Sequence, residues 1–490
     1  MRLTASDFMT YWRPSRCELR VFLQEKSEPQ AEPSPFDEVM RRLGIRHEWE
    51  HLATLGTYLD LSSVLLDKRA RRTLEAIASK VRVIYQPAFV VRHRIAGTEV
   101  EIVGAPDFLI LDGDSYLIRD AKLSRRIDPV EHPEIIAQVQ LYGWLFEHNT
   151  GRPAKTLQVY SGMNEIVAIE DDGGKSALAE LENLLRLKQL DGEPYEPVGW
   201  SKCGGCGFNE RCMDKAEEEE SVALVPDVDQ SLARTLYGIG VSTRKELLTK
   251  FDFVRLSELK RPHGRSERRV GKTAERILQF AEAMETQQEK ILSAPAIPSF
   301  SNYVMFDLEG MPPHLDEIEK IYLWGLQVYG EKPSKFMPAV AGIGQDGDRD
   351  GWLAFLSNAK KMFDTCGDIP FVHWASYEKT KLSLYVDRYG DLDGIAARVK
   401  TNLLDLLTVT KNSVVLPLPS FSLKVVEKHV GFKRTLEEAG GQWAMATFIE
   451  AVETSDVEKR KELMDKILAY NKEDLEAMWA VFEWLMSKTP

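Results

Sequence analysis

A cluster of cysteines places the tightest limit on how this chain can fold. Three of the five cysteines in the 490-residue sequence lie within ten residues, at Cys203, Cys206 and Cys212. An odd number of cysteines at low density does not suit a disulfide framework. Thiols this close together are typical of a metal or cofactor site, and Cys17 can supply a fourth ligand. Spacing alone does not separate a zinc ion from an iron–sulfur cluster.

Length and composition indicate a globular protein of several domains. A chain of 490 residues and 55.7 kDa favours two to four domains. No apolar run approaches the length of a membrane span, and the N-terminus lacks the apolar core of a secretory signal. We therefore expect a cytoplasmic protein without a membrane partner. The formal charge of −13 is a weak guide here, because nucleic acids bind local patches. Basic runs at residues 68–72 and 260–269 are such patches, or equally well solvated surfaces.

The first two hundred residues alternate helical and strand patterns, which predicts an α/β domain. Residues 37–80 and 132–148 show helical spacing of apolar positions. Strands are predicted at 81–86, 89–92, 99–103 and 116–122, and the strand at 106–111 is expected to continue the same sheet. Asp112-Gly113-Asp114 is a hairpin signal between the predicted strands at 106–111 and 116–122.

That hairpin brings two acids together. In it Asp107 and Asp120 can face each other, and Lys122 shares a strand face with Asp120 because side chains alternate with a period of two. Two carboxylates at one edge form an oxygen-rich site suited to Mg²⁺ or Mn²⁺. Upstream, His47 offers an imidazole ligand. Downstream, two side chains share a helix face one turn apart; they are Gln138 and Tyr142.

This set of motifs resembles the PD-(D/E)xK nucleases of the RecB type. The resemblance implies that His47, Asp107 and Asp120 bind the metal and that Lys122 is the catalytic lysine. It further implies that Gln138 and Tyr142 contact the DNA strand. His51 is a competing histidine, although the spacing from Gly44 favours His47.

The cysteines extend the resemblance to the iron–sulfur subgroup of these nucleases. One distant cysteine precedes the nuclease motifs and three follow them. The resemblance implies a [4Fe–4S] cluster that joins the two ends of residues 1–215, with a zinc ion as the alternative. Its ligands would be Cys17, Cys203, Cys206 and Cys212. Cys366 is expected to be an ordinary packed residue.

The middle of the chain is predicted to be helical. Residues 213–230 are acidic and suit a linker or a solvated helix, and a second boundary is expected near 294–298. The Gly-rich stretch at 236–241 loosely resembles a helix-hairpin-helix element, whose turn can present N–H groups to a phosphate. A plain helical connector explains the same pattern.

A second group of acids lies in the last third. Asp307 and Glu309 share one face of a predicted strand, while Tyr470 and Asp474 are one turn apart on a helix. Acids at both ends of a domain suit two-ion phosphoryl transfer.

This arrangement resembles the DEDD exonucleases of the RNase H-like fold, in the branch with a tyrosine in the last motif. Glu378 stands where that family has an aspartate, and His373 stands where it has an asparagine. The same variant is similar to a YprB-like branch. Asp405 is a further acid expected near the site.

The sequence thus predicts three segments. Residues 1–215 form a RecB-like nuclease, 216–295 a helical linker, and 296–490 an RNase H-like exonuclease domain. The predicted activity is metal-dependent DNA hydrolysis on single strands or ends, with a second site that trims 3′ ends. The alternatives are an RNA-processing exonuclease, and a nuclease whose C-terminal domain is an inactive scaffold. No nucleotide-binding loop is found, so a helicase partner would be separate. DNA repair, defence and mobile-element processing all remain open.

Overall fold

Contacts between Cα atoms divide the chain into two units, each with its own hydrophobic core. The computed structural model describes residues 1–199, 202–264, 266–312, 318–436 and 440–488. The first unit comprises Met1–Pro33, Asp37–Glu196 and Ser201–Arg211, and the second comprises Ser34–Phe36, Pro197–Trp200 and Cys212–Pro490. Within the described ranges, none of the helices has both the length and the apolar character that a bilayer crossing requires.

The first unit contains two sheets. One sheet has the strand order β1-β5-β4, and the other has the order β2-β3-β6-β7-β8-β9. The strands of this unit are β1 (Arg2–Thr4), β2 (Leu59–Asp60), β3 (Val83–Tyr85), β4 (Phe89–Ile95), β5 (Thr98–Gly104), β6 (Phe108–Asp112), β7 (Ser115–Ala121), β8 (Leu157–Tyr160) and β9 (Ile166–Ile169). β6 and β7 form the expected antiparallel hairpin, and Gly113 supplies the positive φ of +69° that its tight turn needs.

One expectation about these sheets is wrong. Residues 106–111 do not continue the sheet of the preceding hairpin, because β4 and β5 pair with each other and with β1. β6 pairs instead with β3 and β7. The chain changes sheets at Ala105-Pro106, where proline cannot donate a ladder hydrogen bond.

Helices cover these sheets. They are α1 (Ser6–Trp12), α2 (Glu18–Glu25), α3 (Pro35–Thr54), α4 (Leu66–Ala78), α5 (Pro133–Thr150) and α6 (Lys175–Lys188), while α7 (Asn209–Glu218) runs from the first unit into the second. α5 is apolar on most of its circumference and lies in the core, where Val139, Leu141 and Phe146 are fully buried. A proline at its start and a left-handed Gly151 after its end fix its length.

The second unit begins with a helical segment. Its elements are α8 (Gln230–Gly238), α9 (Arg244–Lys250), α10 (Phe253–Glu258), strands β10 (Lys260–His263) and β11 (Ser266–Arg269), and α11 (Thr273–Thr286). Side chains cap the helices: Asp229 caps α8, and Thr243 and Glu246 form a capping box on α9. The basic run at 260–269 forms a β-hairpin, because β10 and β11 pair antiparallel. Arg265 lies outside the described residues.

The rest of the second unit contains a five-stranded sheet of order β15-β14-β13-β16-β17. Its strands, with the small β12–β18 pair, are β12 (Lys290–Ile291), β13 (Asn302–Met311), β14 (Lys320–Gly330), β15 (Met337–Val340), β16 (Phe371–His373), β17 (Leu403–Asp405) and β18 (Val414–Val415). The helices are α12 (Gly344–Cys366), α13 (Tyr377–Tyr389), α14 (Ile395–Thr401), α15 (Leu406–Ser413), α16 (Leu423–His429), α17 (Gly441–Glu453) and α18 (Val457–Ser487).

The predicted linker segment and the C-terminal segment share one core. Phe280 of α11 lies in the same buried cluster as Val414, Phe421 and Phe482, and its ring centroid is 5.3 Å from that of Phe421. The sheet runs antiparallel from β15 to β13 and parallel from β13 to β17. The α/β multi-domain class predicted from the sequence is confirmed.

We expect Phe355→Ala to destabilise the second unit by roughly 3–5 kcal/mol, because a fully buried ring is replaced by a cavity. Phe355 stacks on Trp324 at 4.5 Å and on Phe306 at 5.5 Å. Leu353→Ala on the same helix is the control, since Leu353 is 39% exposed. Denaturant unfolding followed by tryptophan fluorescence measures both. Equal losses in the two variants would contradict this account of the core.

Candidate active sites

The β6–β7 hairpin brings the first pair of acids together as expected. The Asp107 backbone N–H donates to Oδ1 of Asp120 at 3.3 Å, and Oδ2 of Asp107 accepts from the Ala121 N–H at 2.7 Å. Nζ of Lys122 lies 2.6 Å from Oδ2 of Asp120. Burial and the charge of Asp120 raise the pKa of Asp107 well above its usual value. Burial lowers the pKa of Lys122, but the two aspartates outweigh it and the net pKa is raised.

A third acid, which none of the sequence motifs indicates, joins this pair. Glu48 on α3 adds its charge to those that raise the pKa of Asp107. Nε2 of Gln86 donates to Glu48 at 2.7 Å and to Asp107 at 2.9 Å, so one amide links the two carboxylates. Gln86 has a φ of +52°, a left-handed conformation that is unusual for this residue type and is often found at functional sites. The only sequence signal for Glu48 was its place directly after His47.

The two histidines of α3 lie against Tyr160. The His47 ring stacks on Tyr160 with centroids 4.7 Å apart, and its Nε2 is 3.4 Å from the Tyr160 carbonyl oxygen. His51 stacks on the same ring at 3.8 Å, and its Nε2 lies 3.0 Å from Arg119. Burial and the charge of Arg119 lower the pKa of His51 to about 4. His47 thus contacts Tyr160, and His51 contacts Tyr160, Phe108 and Arg119, whereas Glu48 is linked to Asp107 through Gln86.

Gln138 and Tyr142 lie on one face of α5, as expected. Nε2 of Gln138 donates to the Tyr142 hydroxyl at 2.7 Å, and both side chains are buried. Burial, together with the charges of Asp120 and Asp107, raises the pKa of Tyr142. The structure therefore places this tyrosine next to the acids and inside the unit.

Three of the four predicted cysteine ligands lie in the first unit. Cys17 caps α2 and accepts a hydrogen bond from the Arg20 N–H at 3.3 Å. Burial raises the pKa of the Cys17 thiol to about 12, and the charges of Glu196, Cys206 and Cys203 act in the same direction. Cys203 and Cys206 lie in a turn closed by a Cys206 N–H to Cys203 carbonyl hydrogen bond of 3.0 Å. Cys212 follows on α7, and Cys366 packs against the core of the second unit.

A tight group of carboxylates lies in the second unit. Ligand atoms of Asp307, Glu309 and Asp474 are all within 4.8 Å of one another. Asp307 and Glu309 come from β13, and Asp474 comes from α18. Burial raises the pKa of all three, and mutual repulsion adds to the rise for Asp307 and Glu309.

Glu378 lies beside this group. Its charge also raises the pKa of Asp307, and its Oε2 is 3.2 Å from Nδ1 of His373. Burial raises the pKa of Glu378 itself, and the neighbouring His373 opposes that rise. Asp405 pairs with His373 across β16 and β17, and its side chain caps α15 through Thr408. Glu378, which stands where the DEDD exonucleases that the sequence resembles have an aspartate, therefore interacts with Asp307.

Two further residues hold the acids in place, and the sequence analysis assigned neither a role. Nδ2 of the fully buried Asn471 donates to Oδ2 of Asp307 at 2.6 Å. Gly325 makes room for Asn471, because a Cβ there would lie 1.8 Å from its Oδ1. Arg434 donates to Asp474 at 2.5 Å and to the two oxygens of Glu427 at 2.6 and 2.7 Å. Neither residue carries a spacing signal, because each depends on contacts between distant elements.

Tyr470 is buried beside the acids. Burial and the charges of Asp474 and Glu309 raise its pKa. Nζ of Lys424 lies 5.7 Å from the centroid of the Tyr470 ring, and the Arg434 guanidinium carbon lies 5.8 Å from it. Lys424 is on α16.

The basic hairpin in the middle segment is largely balanced by acids. Arg261 pairs with Asp229, and Nζ of Lys260 lies 3.7 Å from Glu267. Arg269 pairs with Glu258 at 2.8 Å. These ion pairs favour the solvated-surface interpretation of the run at 260–269.

The donor sets fit the groups that the sequence implies. Buried carboxylates need a compensating cation, and oxygen ligands suit Mg²⁺ or Mn²⁺. Among the described residues, Asp307, Glu309 and Asp474 bring their ligand atoms together as a metal site requires. In the first unit the charges of Asp120 and Glu48 act on Asp107, and Gln86 links Glu48 to Asp107. Thiolates are soft ligands that suit iron–sulfur clusters or zinc, and the charges of Cys203 and Cys206 act on the Cys17 thiol.

Models of two protein families match two separate parts of the chain. A model of the PD-(D/E)XK nuclease superfamily matches residues 19–213, and a model of the RNase_H superfamily matches residues 304–486. No curated protein matches the chain. Among solved structures, it is similar to "Crystal structure of SSO0001", with 16% identity over 38% of this chain and 76% of that chain and a TM-score of 0.20. The two family models show a PD-(D/E)XK nuclease superfamily domain at the N-terminus and an RNase H superfamily domain at the C-terminus, and the two domains support a nuclease.

Proposed function

We propose that the chain is a metal-dependent nuclease that hydrolyses DNA phosphodiester bonds at single strands or ends. The observation that carries the proposal is that each nuclease-superfamily domain holds its own group of buried and half-buried acids. Side by side, such carboxylates repel one another, and a divalent cation removes that repulsion. The helicase partner and the cytoplasmic location stay predictions.

In the N-terminal site, Asp107, Asp120 and Glu48 would hold the ion, with His47 a further predicted ligand. A bound Mg²⁺ or Mn²⁺ supplies a Lewis acid that lowers the pKa of an attacking water and offsets phosphate charge, there and in the C-terminal site. Lys122 keeps its proton beside Asp120 and presents a positive charge to the scissile phosphate. Gln86 fixes the two carboxylates that it links, and the Gln138–Tyr142 pair closes the buried side of the site.

In the C-terminal site, Asp307, Glu309 and Asp474 would hold the ions, with Glu378 a further predicted ligand. Glu378 takes the position of the family aspartate, and Tyr470 helps to position the attacking water. The proposed reaction there is 3′-to-5′ trimming. The intact acid group supports an active site over an inactive scaffold.

The four cysteines are proposed to bind a [4Fe–4S] cluster that joins the ends of the N-terminal domain, with zinc as the alternative. Their role is structural, because a metal bound by ligands distant in sequence stabilises the folded state.

We expect Asp120→Asn and Asp307→Asn each to reduce the rate of its own site by at least about 100-fold, because stabilisation of the transition-state charge by a metal ion is worth several kcal/mol. Single-stranded DNA and RNA of one sequence, labelled at either end, are digested with Mn²⁺ by each single variant and by the double variant. A double variant that cleaves like the wild type would contradict the proposal. Loss with Asp120→Asn alone would support the scaffold alternative, and faster RNA cleavage would support the RNA-processing one.

Glu48→Gln is expected to slow the N-terminal site by at least about 10-fold, because it removes a charge that faces the ion. The assay uses the Asp307→Asn background so that only this site is active. Glu50→Gln is the matched control, since Glu50 is exposed on the same helix. His47→Gln in the same series tests the predicted imidazole ligand. Equal rates for Glu48→Gln and Glu50→Gln would remove Glu48 from the site.

Cys17→Ser is expected to lose the bound metal, whereas Cys366→Ser keeps it, because Cys17 interacts with the thiol pair Cys203 and Cys206 while Cys366 packs against the core of the second unit. Anaerobic purification, a visible absorption spectrum, and iron, sulfide and zinc analysis provide the measurement. Iron and sulfide with a broad visible band support the cluster. Stoichiometric zinc supports the alternative, and a metal-free wild type would contradict both.

A further inference from the structure

Two cations lie on the Asp474 side of the C-terminal acids. Arg434 is nearly buried, with 5% of its side chain exposed, and it bonds to Glu427 through two nitrogens and to Asp474 through one. This geometry commits the guanidinium to carboxylates that belong to the protein. Arg434 is therefore a positioning residue, which fixes one oxygen of Asp474 and the side chain with it.

Lys424 is placed differently. It is half-buried, and its ammonium lies over the Tyr470 ring. Tyr470 precedes Asp474 by one turn of α18. Its charge interacts with Arg434, Asp474, Glu427 and Glu309. Gly440 lies beside the ammonium, since a Cβ added there would be 3.4 Å from Nζ, an ordinary van der Waals contact. Lys424 thus sets a positive charge at the edge of the acid group, next to the predicted water-positioning tyrosine.

We propose that Lys424 binds a phosphate of the substrate strand in the C-terminal site. The proposal rests on the proposed nuclease function of that site. The charges of Asp307, Glu309, Glu378, Asp474 and Glu427 act on one another along this group, and Lys424 interacts with three of them, Glu309, Asp474 and Glu427. A positive charge at this edge attracts the negatively charged backbone of a strand that enters the site, and that attraction would fall without Lys424.

The test uses the full chain with Asp120→Asn, so that only the C-terminal site trims a labelled oligothymidylate. We compare Lys424→Met, Lys424→Arg and Lys428→Met, where Lys428 is exposed on the same helix. A lost phosphate contact should lower kcat/KM about 10-fold and reduce the slope of log(kcat/KM) against log[salt] by about 0.7, the value for one contact to a single strand. Lys424→Arg should keep the slope, and Lys428→Met should match the parent.

A second measurement is independent of catalysis. Lysine acetylation is mapped by mass spectrometry with and without the oligonucleotide, in Ca²⁺. We expect the strand to protect Lys424 and to leave Lys428 unprotected. Trimming that continues with an unchanged slope and no protection would overturn the role of Lys424 alone. Absence of both trimming and protection would overturn the proposed function of this site together with it, whereas protection without trimming would keep the binding role and exclude the exonuclease.

Discussion

Repulsion between buried carboxylates is the constraint on which both halves of this chain depend. Acids placed side by side away from water raise one another's pKa, and each is costly to keep charged without a cation. Burial and the charge of Asp120 raise the pKa of Asp107 in the first unit, and the pKa values of Asp307 and Glu309 are raised in the second. Both folds must therefore hold such groups in place with hydrogen bonds and nearby cations.

The two sites meet the constraint with similar means from different elements. In the N-terminal domain the cation is Lys122, two residues from Asp120 on the same strand face. In the C-terminal domain it is Arg434, which reaches Asp474 across forty positions of sequence. An amide also stabilises the acids in each case, supplied by Gln86 in one site and by Asn471 in the other.

The surrounding packing explains why these polar groups stay in one arrangement. α5 is apolar on most of its surface and carries Tyr142 into the first unit beside the acids. Gly325 on β14 leaves room for Asn471, so the strand and α18 approach each other closely. A buried hydrogen-bond network of this kind is favourable only when its members are satisfied, which ties the geometry of each site to its core.

The spacing of residues within single elements determined which site residues lie side by side. The pairs Asp107–Asp120, Asp307–Glu309 and Tyr470–Asp474 follow from a hairpin, a strand period and a helical turn, so the sequence alone predicts that their members meet. The tertiary structure alone linked Glu48 to Asp107 through Gln86, and it alone brought Arg434 to Asp474. It also separated the sheets at Pro106 and set Cys17 near Cys203 and Cys206. These contacts join elements far apart in the chain, and no periodicity within one element can encode which distant partner an element packs against.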